Sequence, residues 1–276
     1  MSGWNFRLRQ APALRVDLRG ITPAALAVLS TAQIGQLTVG HGNAMLPLAE
    51  LFDVEKGTEE GTLRFEGDLG RFDRIGWQMD GGRIRVEGDA GHYAGGCMRG
   101  GELQIDGSAG LLAACEMAGG RIDVKGNVGD FAASTLPGSM DGMRGGTLVV
   151  HGHAGERFGD RMRRGSALVH GDAGAFLGSR MVAGTIAVGG KAGAHAGYGM
   201  RRGSIVFAAP GAALPAGIEA ALTFVPNRTA TPVFWALLAL DLARHGGAFA
   251  ALPARRIERH LGDISADGKG ELILCP

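Results

Sequence analysis

Arginines and histidines recur at fixed intervals in this chain, and rows of such side chains can bind anions or metal ions. One row of arginines directly follows a row of methionines, at Arg99, Arg144, Arg163 and Arg201, and Arg164 and Arg202 stand one place further on. If these positions lie one above another in the fold, they form a basic stripe that can pair with carboxylates or phosphates. The other interpretation is a solvated face or a salt-bridge surface between subunits, since isolated exposed ion pairs add little stability.

Three histidines form a second candidate. His151 and His170 occupy the same position in a repeat, and His153 lies nearby, so that three imidazoles could hold a borderline metal ion such as Zn²⁺. No carboxylate or cysteine joins them at matching spacing, and we therefore predict no metal site. The sequence also offers no Ser-His-Asp set and no paired carboxylates, so we predict no catalytic residue in this chain.

The element that must position these side chains is a glycine-centred repeat. Its third and fifth residues are apolar, as in Ile84 and Val86, which is the alternation of a short strand with one buried face. The copies start mostly 19 residues apart, at Gly61, Gly82, Gly101, Gly120, Gly146, Gly165, Gly184 and Gly203. A fixed period of this size predicts an all-β solenoid, here a right-handed parallel β-helix of about seven to eight turns.

Glycines and an insertion mark the corners of this predicted fold. We predict structural turns, where the chain bends sharply, at Gly82, Gly88, Gly91, Gly101, Gly107, Gly110, Gly165, Gly171 and Gly174. The repeat that starts at Gly120 is longer by seven residues, around residues 134–140. Such an insertion is either a loop that contacts something or a tolerated bulge.

The repeats divide the chain into three parts. Residues 1–55 are predicted to cap the solenoid, 56–209 to form the β-helix, and 210–276 to form a C-terminal extension with a helix over 232–245 that Thr231 and Pro232 begin. The outward position of the later repeats becomes apolar, at Val149, Leu168 and Ala187. We predict that the C-terminal helix folds back over these residues; a partner subunit is the alternative cover.

Composition excludes several classes of partner. The chain has 28 basic and 27 acidic residues, a balance that gives no bulk attraction to nucleic acid. The three cysteines, Cys97, Cys115 and Cys275, lack a CxxC spacing and indicate free thiols in a reducing compartment. The first ten residues lack the apolar core of a signal peptide, and the longest apolar run, near residue 240, is too short to span a bilayer. We therefore predict a cytoplasmic protein with no membrane partner.

Several motifs together resemble the C subunit of formylmethanofuran dehydrogenase. They are residues 74–79 (RIGWQM), 82–91 (GRIRVEGDAG), 142–146 (GMRGG), 161–165 (RMRRG) and the ending at 262–271 (GDISADGKGE). The resemblance covers nearly the whole chain and includes a bacterial branch, the formyltransferase/hydrolase complex of methylotrophs. Single repeats are also similar to the glycine-rich β-helix domain of the glutamate synthase large subunit, which is not expected to carry the 262–271 ending.

This resemblance implies a function in one-carbon metabolism. It implies a non-catalytic scaffold in a complex that transfers a formyl group from formyl-tetrahydromethanopterin to a methylofuran-type carrier and releases formate during formaldehyde oxidation. The implied partners are a formyltransferase subunit and an amidohydrolase-like subunit, with no cofactor bound by this chain. Arg99, Arg144, Arg163 and Arg201 would contact the anionic tail of the carrier. Three further hypotheses remain: the C subunit of a molybdenum or tungsten dehydrogenase, a stand-alone glutamate-synthase-like module and an unrelated binding solenoid.

Overall fold

A computed structural model of the chain describes residues 3–218, 223–227 and 233–275. Within these ranges the strands are β1 (Gly3–Leu8), β2 (Val16–Asp17), β3 (Thr38–His41), β4 (Ala44–Pro47), β5 (Phe52–Gly57), β6 (Thr62–Glu66), β7 (Phe72–Asp73), β8 (Asp80–Glu87), β9 (Gly100–Ile105), β10 (Arg121–Val124), β11 (Arg144–Val150), β12 (Arg164–Val169), β13 (Thr185–Val188), β14 (Ser204–Phe207), β15 (Phe224–Asn227), β16 (Glu258–Gly262) and β17 (Gly270–Leu274). The α-helices are α1 (Pro23–Leu26), α2 (Thr31–Gly35), α3 (Leu48–Leu51) and α4 (Val233–Ala243), and 3₁₀ turns cover Gly247–Phe249, Leu252–Ala254 and Ile264–Ala266.

Thirteen of these strands form one large sheet, in the order β15-β16-β17-β14-β13-β12-β11-β10-β9-β8-β6-β1-β5. From β1 and β6 through β14 to β17 the neighbours pair in parallel. Equivalent repeat positions face each other, so that Ile84 pairs with Leu103 and Leu103 with Ile122. The repeats therefore stack in register, as their period requires. A second sheet, in the order β4-β3-β2-β7, lies within the first 73 residues of the chain.

The predicted fold class is wrong. The chain does not form an all-β solenoid wound as a closed right-handed β-helix. It forms an open 13-stranded sheet with an antiparallel strand pair at each end, β1 with β5 on one side and β15 with β16 on the other. The physical reason is that the apolar alternation occurs once in each repeat. In the rest of each repeat, β-pairing is limited to single bridges, such as Ala90 with Ala109. The chain there consists of turns, which donate backbone hydrogen bonds to neighbouring repeats without forming further strands.

The main core is filled by three residue types from each repeat. The apolar third and fifth strand positions, the small residues of the single bridges and the methionine column belong to one buried cluster. Every methionine of that column is fully buried: Met98, Met117, Met143, Met162, Met181 and Met200. Because successive repeats bury the same side chains, each repeat packs mainly on its two neighbours.

The turns between strands contain left-handed backbone conformations at alternate residues. In one repeat Arg74 and Gly76 have φ of 60° and 69°. Other repeats have alanine instead of glycine at the second of these positions, at Ala114 and Ala133, each with φ of 56°. Among the predicted corner glycines, Gly82 has φ of 77°, a region that side chains with a Cβ rarely adopt.

A second buried cluster lies on the outer face of the later strands. It contains the outward residues Val149 and Leu168 together with Trp235, Ala239 and Leu242 of α4. This confirms that the C-terminal helix folds back over the apolar half of the sheet. The predicted start of the helix at Thr231 and Pro232 lies outside the described residues. No helix within the described ranges combines the length and the apolar character that crossing a membrane requires.

Candidate functional site

The sheet fixes the arginines that follow the methionines. The amides of Arg144, Arg163 and Arg201 donate hydrogen bonds to the methionine carbonyl of the preceding repeat, for example from Arg163 to Met143 over 2.8 Å. The methionines point into the core and are fully buried, whereas each following arginine is exposed. Local strand geometry therefore puts these guanidinium groups on one edge of the repeat stack.

Three of the four arginines singled out in the sequence share one cleft. Arg144, Arg163 and Arg201 line a space of about 610 Å³. The other lining residues are Asp141, Arg164, Val182, Ala183 and Arg202. Arg99 lies outside this cleft because Ala118 occupies the equivalent position in the repeat between Arg99 and Arg144. The stripe is therefore interrupted, and its larger part is a cleft with five arginines.

Charge is unevenly balanced along the cleft. At one end Arg163 forms an ion pair with Asp141, with 2.5 Å between Nε and Oδ1, and Arg144 lies 3.8 Å from Glu116. Among the residues that the structure describes, Arg164, which is next to Arg163, has no ion-pairing partner, and neither do Arg201 and Arg202 at the other end. Lys269, whose amide donates to the carbonyl of Arg201, adds an exposed cation just before β17. The C-terminal end of the cleft therefore carries the unbalanced positive charge.

The insertion supplies the acidic residue of the cleft. The amide of Asp141 donates to Ser139 Oγ at 3.3 Å, and the amide of Leu136 donates to Glu116 Oε1 at 3.2 Å. The bond to Glu116 attaches the inserted segment to the neighbouring repeat, and the bond to Ser139 holds the turn that leads into Asp141. Spacing alone gave no indication that the insertion would place a carboxylate on Arg163.

The histidines form a separate cluster beneath the C-terminal segment. The rings of His151 and His170 stack at 5.0 Å, and the His170 ring lies 4.8 Å from Phe249. His151 Nε2 lies 3.1 Å from Asp123 Oδ1. His153 is turned elsewhere, where its Nδ1 accepts the amide of Asp172. Across the described residues, no three His, Cys, Asp or Glu side chains are arranged to hold a metal ion.

The surroundings of His170 and His245 favour the neutral imidazole. Burial lowers the pKa of His170, and the neighbouring His151 and His245 lower it further. Burial also lowers the pKa of His245, with a smaller contribution from Arg121. Burial raises the pKa of Asp123, but the hydrogen bond from Lys125 and the charge of His151 outweigh burial and leave that pKa lowered. Protonation of either histidine therefore opposes packing of the C-terminal segment.

A column of aromatic and cationic side chains runs along the turns. The Arg74 guanidinium lies 4.8 Å from the centre of the Tyr93 ring, and Arg157 lies 4.6 Å from that of Phe176. Phe176 also stacks on His195 at 4.9 Å. These residues stand at one repeat position with positive φ, which sequence reasoning missed because the position changes residue type from repeat to repeat.

The cysteines are free, as predicted from their spacing. Cys115 and Cys275 are buried, and Cys97 is partly buried. Burial raises the pKa of the Cys275 thiol to about 11 and raises that of Cys115 further still. Thiols in such surroundings are poor nucleophiles near neutral pH.

A sheet of stacked repeats in register, with an arginine-lined cleft at one edge, defines a repeat protein with a basic surface cleft. The chain matches, over 99% of its own length and 99% of the other chain, a chain in the X-ray crystal structure of the formyltransferase/hydrolase complex (FhcABCD) from Methylorubrum extorquens in complex with methylofuran, with a TM-score of 0.87 and 41% sequence identity. The chain therefore belongs to the family formed by the C subunits of formyltransferase/hydrolase complexes.

Sequence comparison supports the same family over a shorter span. The chain is 43% identical over 85 residues to the C subunit of the formyltransferase/hydrolase complex Fhc of Methylorubrum extorquens, which is 31% of this chain and 32% of that relative. It is 37% identical over 87 residues to the C subunit of molybdenum-containing formylmethanofuran dehydrogenase 1 of Methanosarcina barkeri, which is 30% of this chain and 29% of that relative. No protein-family model matches the chain.

Proposed function

We propose that this chain is the C subunit of a formyltransferase/hydrolase complex and acts there as a non-catalytic scaffold. That complex transfers a formyl group from formyl-tetrahydromethanopterin to a methylofuran-type carrier and releases formate during formaldehyde oxidation. The observation that carries the proposal is the full-length match, at 41% identity, to a chain of FhcABCD solved with methylofuran. Catalysis belongs to the sister subunits, a formyltransferase and an amidohydrolase-like protein, in the cytoplasm.

The architecture suits a scaffold. In the large sheet, each parallel strand from β6 and β8 to β14 is hydrogen-bonded to a strand on both sides, so that one repeat cannot shift independently of the next. Surfaces at different heights of the stack therefore keep a fixed separation. Exposed apolar residues on α4 provide one such surface, since Val233, Leu237 and Leu240 are 86%, 70% and 55% exposed. Clustered exposed apolar side chains are typical of sites that contact another protein.

The arginines are our candidates for contact with the carrier. We propose that Arg144, Arg163 and Arg201 steer its anionic tail along the cleft, and that Arg99, which lies outside the cleft, makes a separate contact. The ion pair of Arg163 with Asp141 supports this assignment, because it places a carboxylate in direct contact with one of these guanidinium groups. The reactive end of the carrier is handled by the sister subunits, and this chain would bind none of it.

Purification of the tagged chain from its native host tests the scaffold role. We expect a formyltransferase and an amidohydrolase-like protein to co-purify with it in a fixed ratio, together with formyl transfer activity. Recovery of the chain alone, or with unrelated proteins, would contradict the proposal. Leu237→Asp should weaken recovery of the partners, whereas Val28→Asp, at an equally exposed apolar residue outside α4, should leave it unchanged.

A dehydrogenase complex is the second candidate. The 37% identity to the C subunit of the molybdenum-containing enzyme favours it over a stand-alone module and over an unrelated binding solenoid. The same purification separates the two complexes. Molybdenum or tungsten in the purified complex, with formate-dependent dye reduction, would support the dehydrogenase. A complex free of both metals that transfers formyl groups would support the formyltransferase/hydrolase.

A further inference from the structure

The aromatic and cationic side chains on the turns take no part in the arginine cleft or in the cover formed by α4. Seven successive repeats contribute one residue each to this surface, which we call the turn column. Six of these residues are Arg74, Tyr93, Phe131, Arg157, Phe176 and His195, and the seventh is Leu112. All seven have φ between 57° and 62°, although glycine adopts such a conformation with less strain. The turn alone therefore does not require large aromatic or cationic side chains at this position.

Stacking fixes these side chains and occupies their flat faces. The Phe176 ring lies 4.6 Å from the guanidinium of Arg157 in the preceding repeat and 4.9 Å from the ring of His195 in the following repeat. A flat ring of a small molecule therefore has no free face of Phe176 on which to stack. The column offers the edges of its rings instead. Phe131 is 38% exposed, and Tyr198, which contacts Phe176 edge-on at 6.0 Å, is 57% exposed.

The length and composition of the turn column match a protein interface. Seven repeats are separated by six steps of about 4.8 Å, which gives a length of about 29 Å. A patch that buries about 800 Å² on each partner has a similar width. Aromatic residues and arginine are enriched in such patches, whereas Lys, Glu and Asp are depleted, and the column contains none of these three. A small molecule would contact only a short part of this surface.

Two arginines of the column show which chemical group a partner must supply. Arg74 lies over two aromatic rings, and its Nη1 donates to Asp17 Oδ2 at 3.0 Å. Arg157 also lies over two aromatic rings, but no carboxylate among the described residues lies within ion-pairing distance of it. Asp130, in the matching place of the preceding repeat, accepts the amide of Glu156 at 2.8 Å instead. Arg157 therefore presents a fixed guanidinium edge that is complementary to a carboxylate from outside the described chain.

We propose that the turn column is an interface with a sister subunit, and that a carboxylate of this subunit pairs with Arg157 as Asp17 pairs with Arg74. The occupant is an apolar protein surface with this carboxylate near its centre. Phe131, Phe176 and Tyr198 pack around the ion pair and exclude water from it. The inference rests on the proposed function for the identity of the partner, and it places this contact on a different surface from the exposed residues of α4.

Dissociation of the purified complex tests the contact with Arg157. With the complex captured through a tag on this chain, Arg157→Gln should speed the dissociation of a sister subunit by at least about tenfold, measured by surface plasmon resonance. The matched control is Arg74→Gln, which removes the same charge from a similar stack. It should change the rate less than about twofold, because Asp17 of this chain already pairs with Arg74. Equal effects of the two substitutions, or no effect of Arg157→Gln, would overturn the inference.

Photocrosslinking identifies the occupant without weakening the interface. p-Benzoylphenylalanine in place of Tyr198 should crosslink to a sister subunit in the purified complex, with the product identified by mass spectrometry. The same probe in place of Val28, which is 87% exposed and lies outside the column, should not crosslink to this subunit. A crosslink from position 198 to a second copy of this chain would show self-association and contradict the proposal. Absence of any crosslink from position 198 would contradict it as well.

The outcomes distinguish this inference from the proposed function. If the sister subunits co-purify with the chain, but the Arg157→Gln complex dissociates as the wild type does and position 198 gives no crosslink, the interface inference fails and the scaffold role stands. If the chain is recovered without sister subunits, the scaffold role itself fails, and the partner proposed for the turn column fails with it.

Discussion

The outer face of the main sheet is built from one repeat position, yet its two halves are covered differently. In the earlier half this position holds Arg64 and Arg85, whose guanidinium groups pair with Glu87 at 2.6 Å and with Asp106 at 3.0 Å. In the later half it holds fully or almost fully buried apolar residues, Val149, Leu168, Ala187 and Val206, beneath α4 and the 3₁₀ turns that follow it. The backbone register is the same in both halves, so the side chain alone decides whether water or a helix covers the strand.

Asp123 marks the boundary between these halves. It is the last polar residue in the outward column and is only 9% exposed. Its carboxylate is paired with Arg121 at 3.0 Å, with Lys125 at 2.7 Å and with His151 at 3.1 Å. Because a nearly buried carboxylate needs such partners, the edge of the apolar patch requires a polar network, and that network meets the histidine cluster under the C-terminal segment.

The largest difference between the halves should appear on truncation of an outward side chain. Leu168→Ala removes packing beneath α4 and should lower the free energy of unfolding by about 2 to 5 kcal/mol, as expected for a fully buried leucine. Urea denaturation followed by circular dichroism measures this change. A loss below about 1 kcal/mol would mean that α4 does not hold the outer face closed.

Acidification should loosen the covered half before the exposed one. The pKa values of His170 and His245 lie below the ordinary value of 6.5 in the folded chain, so the unfolded chain binds more protons as the pH falls through 6.5. The contribution that neutral His170 and His245 make to the stability of the packed C-terminal segment is therefore fully present above that pH and declines as the pH falls below it. Relative to the intrinsic exchange rate at each pH, the protection of α4 amides against hydrogen exchange should fall at acidic pH more than the protection of β8 amides.

Substitution of one histidine isolates this effect. His170→Leu removes a titrating group from the interface and should reduce the loss of α4 protection, relative to intrinsic exchange rates, between neutral and mildly acidic pH. His153→Gln, at an imidazole that is 62% exposed, should leave the pH profile as it is. An identical pH profile for wild type and His170→Leu would show that His170 does not couple protonation to the packing of α4.

Sequence reasoning correctly predicted the pairing of the repeats and the covered half of the sheet, but it wrongly predicted that the repeats close into a β-helix. The register follows from the 19-residue period, and the position of α4 follows from the apolar outward residues such as Leu168. The period does not imply closure into a solenoid, because turns such as the one at Arg74 take the place of further strands. These turns adopt left-handed conformations at residues other than glycine, so their positions are not marked in the sequence by glycines alone. The separation of Arg99 from the cleft could have been predicted, because Ala118 occupies the arginine position in the intervening repeat. The contact between Asp141 and Arg163 could not, because it depends on the path of an insertion that does not follow the 19-residue period.

The smallest effect should come from the exposed half. Arg85 occupies the same repeat position as Leu168, and Arg85→Ala removes its ion pair with Asp106. The side chains of Arg85 and Asp106 are substantially exposed, at 46% and 29%. Exposed ion pairs contribute about 0.2 to 1 kcal/mol, so the loss of unfolding free energy should stay within that range. It should also shrink when urea denaturation is repeated in about 1 M salt, where the Debye length is near 3 Å. A loss of unfolding free energy that does not depend on salt and is comparable with that of Leu168→Ala would mean that the aliphatic part of Arg85 packs on the sheet. The two halves of the outer face would then differ in charge, but both would be stabilised by apolar packing.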